Sequence, residues 1–420
     1  MNKNILIIGN GGREHALAWK LNQSPQLGRL YVAPGNAGTK EWNVPIEAND
    51  IEALLAFALA KKIDLTVVGP EEPLCLGIVD VFRENGLRIF GPTRAAAQLE
   101  GSKAFAKSVM DAAKIPTAQW RAFEEAEPAR EYIRKKGAPC VIKADGLAAG
   151  KGVIVALELE QALQAVDEIM EGSFGLAGSK IVVEELLEGQ EVSLLCFTDG
   201  DTVCPMVPVQ DHKRALDGDQ GLNTGGMGTY TPPPFWTAEL QRSVLQTIVE
   251  PTLRVMRERE TPFTGVLYVG LMITEQGPKV LEYNARFGDP ETQVILARLQ
   301  SDVLPILWAC TERRLRDIQI DWLKDIAVCV VMAAPGYPQA YAKGISLRLP
   351  STLPEEGMIF HAGTAWEEGR GYVSSGGRVL GVTAKGETLA AARKQAYALV
   401  EKVGFPQAHY RRDIGLKGLK

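Results

Sequence analysis

The sequence lacks a C-x-x-C pair among its six cysteines, and its four histidines, His15, His212, His361 and His409, are scattered. Zinc sites built on paired thiols are thereby set aside. Cys75, Cys140, Cys196, Cys204, Cys310 and Cys329 read as buried free thiols of a reducing compartment, without disulfides. There is no basic excess: the net charge is −5. That excludes a dedicated DNA or membrane-surface binder, although a few arginines suffice for one phosphate. No run approaches the ~18 apolar residues a membrane helix needs. The apolar run before Gly9, "ILII", is too short for a signal-peptide core. A cytoplasmic chain with no membrane or nucleic-acid partner is expected.

What is present is a soluble globular composition, 46% hydrophobic and 23% charged, over 420 residues. That length implies two to four domains or subdomains, since a single core stops growing before ~300 residues. From 4 to 95 the chain alternates apolar runs with helical periods: "NILII", "REHALAWKLNQS", "RLYVAPG", "IEALLAFALAKK", "DLTVVGP", "GIVDVFRENG", "RIFGPT". The β-α-β-α-β-α-β order predicts a parallel sheet covered on both faces. After residue 100 the order changes to a helix (100–114), then strand, strand, helix, strand, strand, strand up to Asp211, an α+β pattern with tight glycine turns. Residues 211–234 are polar, Gly-rich and read as structureless, hence functional or disordered. A helix over 238–259 and a hairpin around "EQGP" follow. From about 325, short strands and one helix (388–403) predict a small α+β domain.

Four stretches carry chemistry. In "GNGGREH", Gly9 and Gly11 fit a dinucleotide loop, but Glu14 stands at the third glycine position and no acid ends the second strand, so NAD binding is excluded. A phosphate at the helix start with Arg13, or a turn that binds nothing, both fit this loop. "VIKADGLAAGKGVIV" is not a Walker loop: the spacing is short, Lys151 precedes Gly152, and strands flank both sides. A hairpin of small residues can still fold over phosphates, with Lys143 aimed at them. In "KVLEYNARFGDPETQ", Glu282 and Asn284 share a strand face about 7 Å apart, which suits magnesium completed by phosphate and water. Arg286 suits a carboxylate or phosphoryl group, and Asp289 an ammonium. In "IVVEELLEGQEVS", Glu191 is placed to take ribose hydroxyls, while Glu185 and Glu188 also fit a solvated turn. "DHKR" and "NTGGMG" set basic side chains beside a glycine nest.

Taken in order, "IGNGGREHALAWK", "VVGPEEPL", "LEGSKAF", "VIKADGLAAGKGV", "VVEELLEGQEVS", "QDHKRALDGDQGLNTGGMGTY", "EYNARFGDPETQ", "HAGT" and "SGGRVLGV" resemble the ATP-grasp superfamily, and within it the glycinamide ribonucleotide synthetases. The resemblance spans nearly the whole chain. It implies an N-terminal α/β domain (1–100), an ATP-grasp domain of two α+β subdomains (101–320, lid about 117–187) and a C-terminal α+β domain (321–420). It implies ligation of glycine to 5-phosphoribosylamine with ATP and Mg2+ or Mn2+. By motif, Lys103, Lys143, Gly146, Gly150, Lys151 and Gly152 would contact ATP phosphates. Glu184, Glu185, Leu187 and Glu191 would take adenine and ribose, and Glu282 and Asn284 the metal. Arg286, Asp289, Lys143 and Asp211 would act in the chemistry. Gly11, Gly12, Arg13, Gly38, Thr39, Pro70, Glu71, Lys213, Gly225 and Gly226 would contact substrate. A departure is the strand "GVLYVGLMIT", which has no acidic metal ligand, so few protein ligands are expected. A monomer is expected. The next reading is another ATP-grasp purine enzyme, a carboxylase or a formate-dependent transferase.

Overall fold

A computed structural model describes residues 2–147, 152–170 and 178–419. The chain begins with β1 (Lys3–Gly9), α1 (Gly12–Leu21), β2 (Leu27–Pro34), α2 (Ile51–Ala60), β3 (Leu65–Val68), α3 (Glu71–Leu76), α4 (Ile78–Glu84) and β4 (Ile89–Phe90). The strands pair in the order β2-β1-β3-β4, all parallel, as the alternation predicts. Ile5, Leu6, Ile7 and Ile8 are wholly buried, because helices cover both faces of such a sheet.

Next come α5 (Gln98–Gly101), α6 (Lys103–Ala113), β5 (Trp120–Phe123), α7 (Ala126–Lys136), β6 (Cys140–Ala144), β7 (Val153–Ala156), α8 (Leu159–Glu168) and β8 (Ile181–Glu185). The antiparallel sheet runs β5-β8-β6-β7. Ala129 and Ile133 of α7 share one apolar cluster with Ala162 and Val166 of α8 and Ile142 and Val183 of the sheet. β5 and α7 have no counterpart in the sequence reading. α7 buries only Ala129 and Ile133, so its charged surface hides the helical period.

A second antiparallel sheet, β10-β9-β15-β16, is built from β9 (Gln190–Asp199), β10 (Val203–Pro205), β15 (Thr264–Thr274) and β16 (Gly277–Asn284). Residues 211–234, read as structureless, are ordered into β11 (Gln210–Asp211), β12 (Arg214–Leu216), β13 (Gln220–Asn223) and β14 (Gly228–Thr231). The predicted long helix is α9 (Ala238–Val244) running through a π-helical turn, Leu245–Val249, into α10 (Glu250–Glu258). α11 (Glu291–Arg298) and α12 (Val303–Glu312) were not expected. Every residue of α11 is buried, so it has no polar face for a period to reveal.

The chain closes with β17 (Ile326–Ala333), β18 (Gly357–His361), β19 (Thr364–Glu367), β20 (Gly371–Ser374), β21 (Arg378–Gly386) and α13 (Leu389–Val400). The sheet order is β11-β14-β17-β21-β18, so this sheet takes β14 from the middle of the chain. Leu389, Ala392, Ala396 and Leu399 of α13 pack with Val328, Val330 and Val382.

Histidines join the first and last units. The His361 N–H donates to His15 Nδ1 at 2.8 Å, and Asn36 Nδ2 donates to His361 O at 2.9 Å. An accepting Nδ1 requires neutral His15. Burial, then neighbouring His361, lowers the His15 pKa to about 3, and burial lowers His361 to about 4. Both bases protonate near 6.5 when unfolded. Stability is therefore full above pH ~6.5 and declines as pH falls toward 4. We expect the unfolding free energy to drop between pH 6.5 and 5, with His15→Gln flattening that slope by about 1.4 kcal/mol per pH unit. An equal slope in the variant, read from urea midpoints, would show that this contact is not titrating.

Candidate functional site

A cleft of about 1060 Å3 is lined by β6, β7, the β9–β15–β16 face, the 213–225 segment, α6 and Arg378. One end is an apolar slot formed by Val141, Val153, Val155, Leu186, Met272 and Leu281, with Glu185 and Leu187 at its rim. Such a slot accepts a flat aromatic ring. Beneath it lies a buried charge bridge. Lys143 Nζ donates to Glu184 Oε2 at 3.0 Å and to Leu281 O at 3.1 Å. Lys107 Nζ lies 3.1 Å from Glu184 Oε1 and donates to Thr117 Oγ1 at 2.7 Å. Leu281 reaches Lys143 because the β15–β16 register slips there: Gly270 faces Glu282, and Leu271 faces Val280. That bulge leaves Leu281 unpaired.

The Gly-rich hairpin is closed by Ala144 N–H donating to Gly152 O at 2.8 Å. Asp145 beside it caps the α6 entrance, accepting from Ala104 N–H at 2.6 Å, while Lys103 N–H donates to Asp145 O at 3.1 Å. The loop is thus tied to the start of α6 at Asp145, next to Gly146, and Gly152 lines the cleft. Gly150 and Lys151 lie outside the described residues.

At the middle of the cleft, Glu282 and Asn284 project from β16 beside Lys213. Lys213 Nζ stands 3.7 Å from Glu282 and 3.8 Å from Glu191. Burial would raise the Glu282 pKa, but Lys213, Lys103, Lys143 and Arg286 outweigh it and hold it at about 2. Among the described residues no cluster of three acids, histidines or cysteines could hold a metal ion. Glu282 and Asn284 fit a hard cation that takes its remaining ligands from phosphate and water.

The far end is an ionic hub. Arg286 Nη2 is 2.8 Å from Glu100, and its Nε donates to Glu71 at 3.1 Å. Ala285 N–H also donates to Glu100 at 2.7 Å. Burial pushes Glu100 up to about 7 against the pull of Arg286. At Glu71 burial is overcome by Arg286 and Arg13, which bring it down to about 2. Asp289 meets Arg378 Nη2 at 3.3 Å and accepts from Gln293 Nε2 at 2.7 Å. Arg378 Nη1 donates to the Gly225 and Asp289 carbonyls at 2.5 and 2.6 Å. A Cβ at Gly225 would sit 2.9 Å from the Arg378 Cζ, and one at Gly226 would sit 2.8 Å from Asp211 Oδ1. Burial, then neighbouring Glu291, raises Asp211 well above the carboxylate range. Glu291 accepts from Tyr268 Oη at 2.9 Å.

The N-terminal loop carries an anion of its own: Glu14 Oε2 accepts from Gly11 N–H at 2.6 Å, and Glu14 Oε1 lies 2.5 Å from Arg13 Nε. Arg13 also donates to Phe287 O at 3.0 Å. A Cβ at Gly69 would lie 1.9 Å from Glu14 Oε1, and one at Gly9 2.6 Å from its Cγ. The glycines make room for that carboxylate. Gly12 abuts Gln293 and Asp289, and Pro70 opens α3 ahead of Glu71. Thr39 is buried, with Oγ1 donating to Asn43 Oδ1 at 2.6 Å, and Gly38 is packed against His15 and His361. Thus Arg13 and Glu71 reach the cleft wall, whereas the Thr39 hydroxyl is turned into the 36–43 turn.

Sequence reasoning missed Lys107, Glu100, Glu291 and Arg378, all of which line the cleft. Three of them sit inside motif stretches, "LEGSKAF", "GDPETQ" and "SGGRVLGV", where their pairing partners are invisible. The cleft brings together an apolar slot, a cation-ready carboxylate and a half-buried guanidinium, which suits a polyphosphate whose terminal group meets an acid substrate.

Comparisons with known proteins agree along the chain. Residues 3–100, 101–292 and 327–417 match the family profiles "Phosphoribosylglycinamide synthetase" N domain, ATP-grasp (A) domain and C domain. The chain is 51% identical over 417 residues to the phosphoribosylamine–glycine ligase of Rhizobium meliloti (strain 1021), covering 99% of this chain and 98% of that protein. It is 52% identical over 423 residues to the protein of that name from Pseudomonas aeruginosa, again at 99% and 98% coverage. The solved phosphoribosylamine–glycine ligase of Thermotoga maritima superposes with a TM-score of 0.84 at 37% identity, covering 98% of this chain and 100% of that one. A biotin carboxylase from Campylobacter jejuni, TM-score 0.76 at 13% identity, covers 99% and 95% and shares the fold alone.

Proposed function

The chain belongs to the phosphoribosylglycinamide synthetase family, and we propose that its cleft ligates glycine to 5-phosphoribosylamine at the expense of ATP. It is an ATP-grasp ligase that forms a carbon–nitrogen bond. The γ-phosphoryl group passes to the glycine carboxylate, the phosphoribosylamine nitrogen attacks the resulting glycyl phosphate, and glycinamide ribonucleotide, ADP and phosphate leave. The supporting observation is that one cleft gathers the apolar slot, Lys143, Arg286 and a Glu282 whose charge those cations hold.

In this reading the slot holds adenine, Leu187 and Glu184–Glu185 meet its edge through the backbone, and Glu191 takes the ribose. Lys103 and Lys143, with the 146–152 hairpin, neutralise the phosphates. Glu282 and Asn284 hold a divalent cation, Mg2+ with Mn2+ as substitute, which supplies charge neutralisation at the transferring group. Arg286 holds the carboxylate being activated, and its rigid fork suits both that carboxylate and the acyl phosphate. Asp289 and Asp211 face the glycine ammonium; an incoming cation lets the high-pKa Asp211 ionise. Phosphoribosylamine sits toward Gly11–Arg13, Gly38–Thr39, Pro70–Glu71, Lys213 and Gly225–Gly226. The chain divides at 1–100, 101–320 (lid 117–187) and 321–420, and acts as a monomer in the cytoplasm. No helix among the described residues is long and apolar enough to cross a membrane.

Phosphate release is the test, with ATP, magnesium and glycine, with and without phosphoribosylamine formed from ribose 5-phosphate and ammonia. Release should require both substrates. Release with bicarbonate or formate but not glycine would move the chain to the neighbouring ATP-grasp reactions.

A further inference from the structure

The β12–β13 hairpin overhangs the cleft: Arg214, Asp219 and Asn223 line it, and Lys213 begins it. Its own holding forces are few. It has two strands only, paired at Arg214–Asn223 and Leu216–Gln220. Leu216 and Leu222 are exposed, and Ala215 alone of its apolar residues is buried. An isolated two-stranded hairpin of this kind is marginal in water. Asp219 also takes a left-handed φ of +55°, which a non-glycine residue holds only when its surroundings fix it.

The surroundings are residues 409–417. Arg411, whose side chain is fully buried, donates from Nη1 to Asp219 Oδ1 at 2.9 Å and to Arg214 O at 3.1 Å. Its Nε and Nη2 donate to Asp413 at 2.7 and 2.6 Å, and Asp413 accepts from Gly218 N–H at 2.9 Å. Arg412 N–H donates to Asp217 at 2.7 Å, and His409 Nε2 lies 2.7 Å from Ala215 O. Lys417, itself at the cleft wall, pairs with the second oxygen of Asp219 at 2.5 Å.

We propose that residues 409–417 form a strap in which Arg411 is a positioning residue, holding the 214–223 hairpin and, through it, Lys213 against Glu191 and Glu282. Its kinetic half rests on the proposed ligation. Its structural half does not.

Two readouts on the full-length protein test it. In Arg411→Ala, backbone hydrogen exchange across 214–223 rises at least about tenfold, while β17 and β21 amides keep their protection. The same variant lowers kcat/KM for phosphoribosylamine by about tenfold, the cost of a loosened constellation. In a Lys213→Ala background, adding Arg411→Ala costs much less than it does alone, so the double variant's total loss falls well short of the product of the two single effects. Arg411→Lys, which keeps the charge without the fork, recovers part of both readouts. Asp219→Asn leaves the core packed and carries the same test if Arg411→Ala does not fold. Unchanged hairpin exchange in these variants, or fully multiplicative losses with Lys213→Ala, would overturn the strap. A wild-type protein without glycine-dependent phosphate release would sink the ligation reading instead, with the exchange arm still decisive.

Discussion

Replacing Arg286 with methionine is expected to reduce ligation by about three orders of magnitude, the scale of losing a positioned charge at the reacting group. It should also destabilise the protein by about 3–5 kcal/mol, the cost of breaking a buried ion pair from one side. Both effects follow from the hub. The guanidinium pairs with both Glu71 and Glu100 at the cleft wall. Without it, the two neighbouring carboxylates keep only the weaker pull of Arg13. Glu71 then loses the pull that holds it at about 2, and Glu100, already at about 7, rises further, so the folded variant binds more protons than wild type. Stability of the variant is lost as pH rises through the carboxylate range and above. The gap between wild type and Arg286→Met should therefore widen from pH 5 to pH 8, in urea midpoints. A constant gap would show that Glu71 and Glu100 do not depend on Arg286 for their charge. Arg286→Lys keeps a charge but not the two-sided fork. It should regain stability while remaining deeply impaired in phosphate release.

Glu282→Gln is the second large effect, and it separates activity from stability. The carboxylate is held at about 2 by the surrounding cations, Lys213 foremost among them, so it is ionised at every working pH. Its side chain is one-third exposed in the cleft. An amide of the same shape should leave the melting transition within a degree or so of wild type, as half-exposed positions away from the core do. ADP formation should fall by about three orders of magnitude, because the only anionic group of the two offered to the cation becomes a neutral amide. Higher magnesium should recover part of the loss if binding is what failed. Wild-type turnover in Glu282→Gln would remove the metal assignment and leave Glu282 as the partner of Lys213 only.

How far these features could be read from the residues follows from where each signal resides. The N-terminal α/β unit was legible because each strand is a short apolar run set between helical periods. α11 was not, since complete burial erases its period, and α7 was not, since only Ala129 and Ile133 are buried among its charged residues. Glu282 and Asn284 were legible as a pair because strand alternation puts them on one face. Glu100 was hidden because its meaning lies in Ala285 and Arg286, 185 residues away in the case of its backbone bond. The N-terminal glycines were only half legible for a definite reason: close approach of a carboxylate and close approach of a phosphate demand the same missing Cβ, and Glu14 folding back on Gly11 is seen only in the fold.

The borrowed strand Gly228–Thr231 bears on how the chain is made. Its residues are buried between β11 and β17, and Thr229 Oγ1 donates to Pro290 O at 3.0 Å, next to Asp289. During synthesis that strand emerges well ahead of its partner Ile326–Ala333, and the β21 strand beside that partner emerges later still. Until then the backbone N–H and C=O groups on one side of that strand stand unpaired beside the half-built cleft, since the two-residue β11 pairs only with its other side. A nascent chain cut short before residue 326 is thus left with an open strand edge, which invites pairing with another chain.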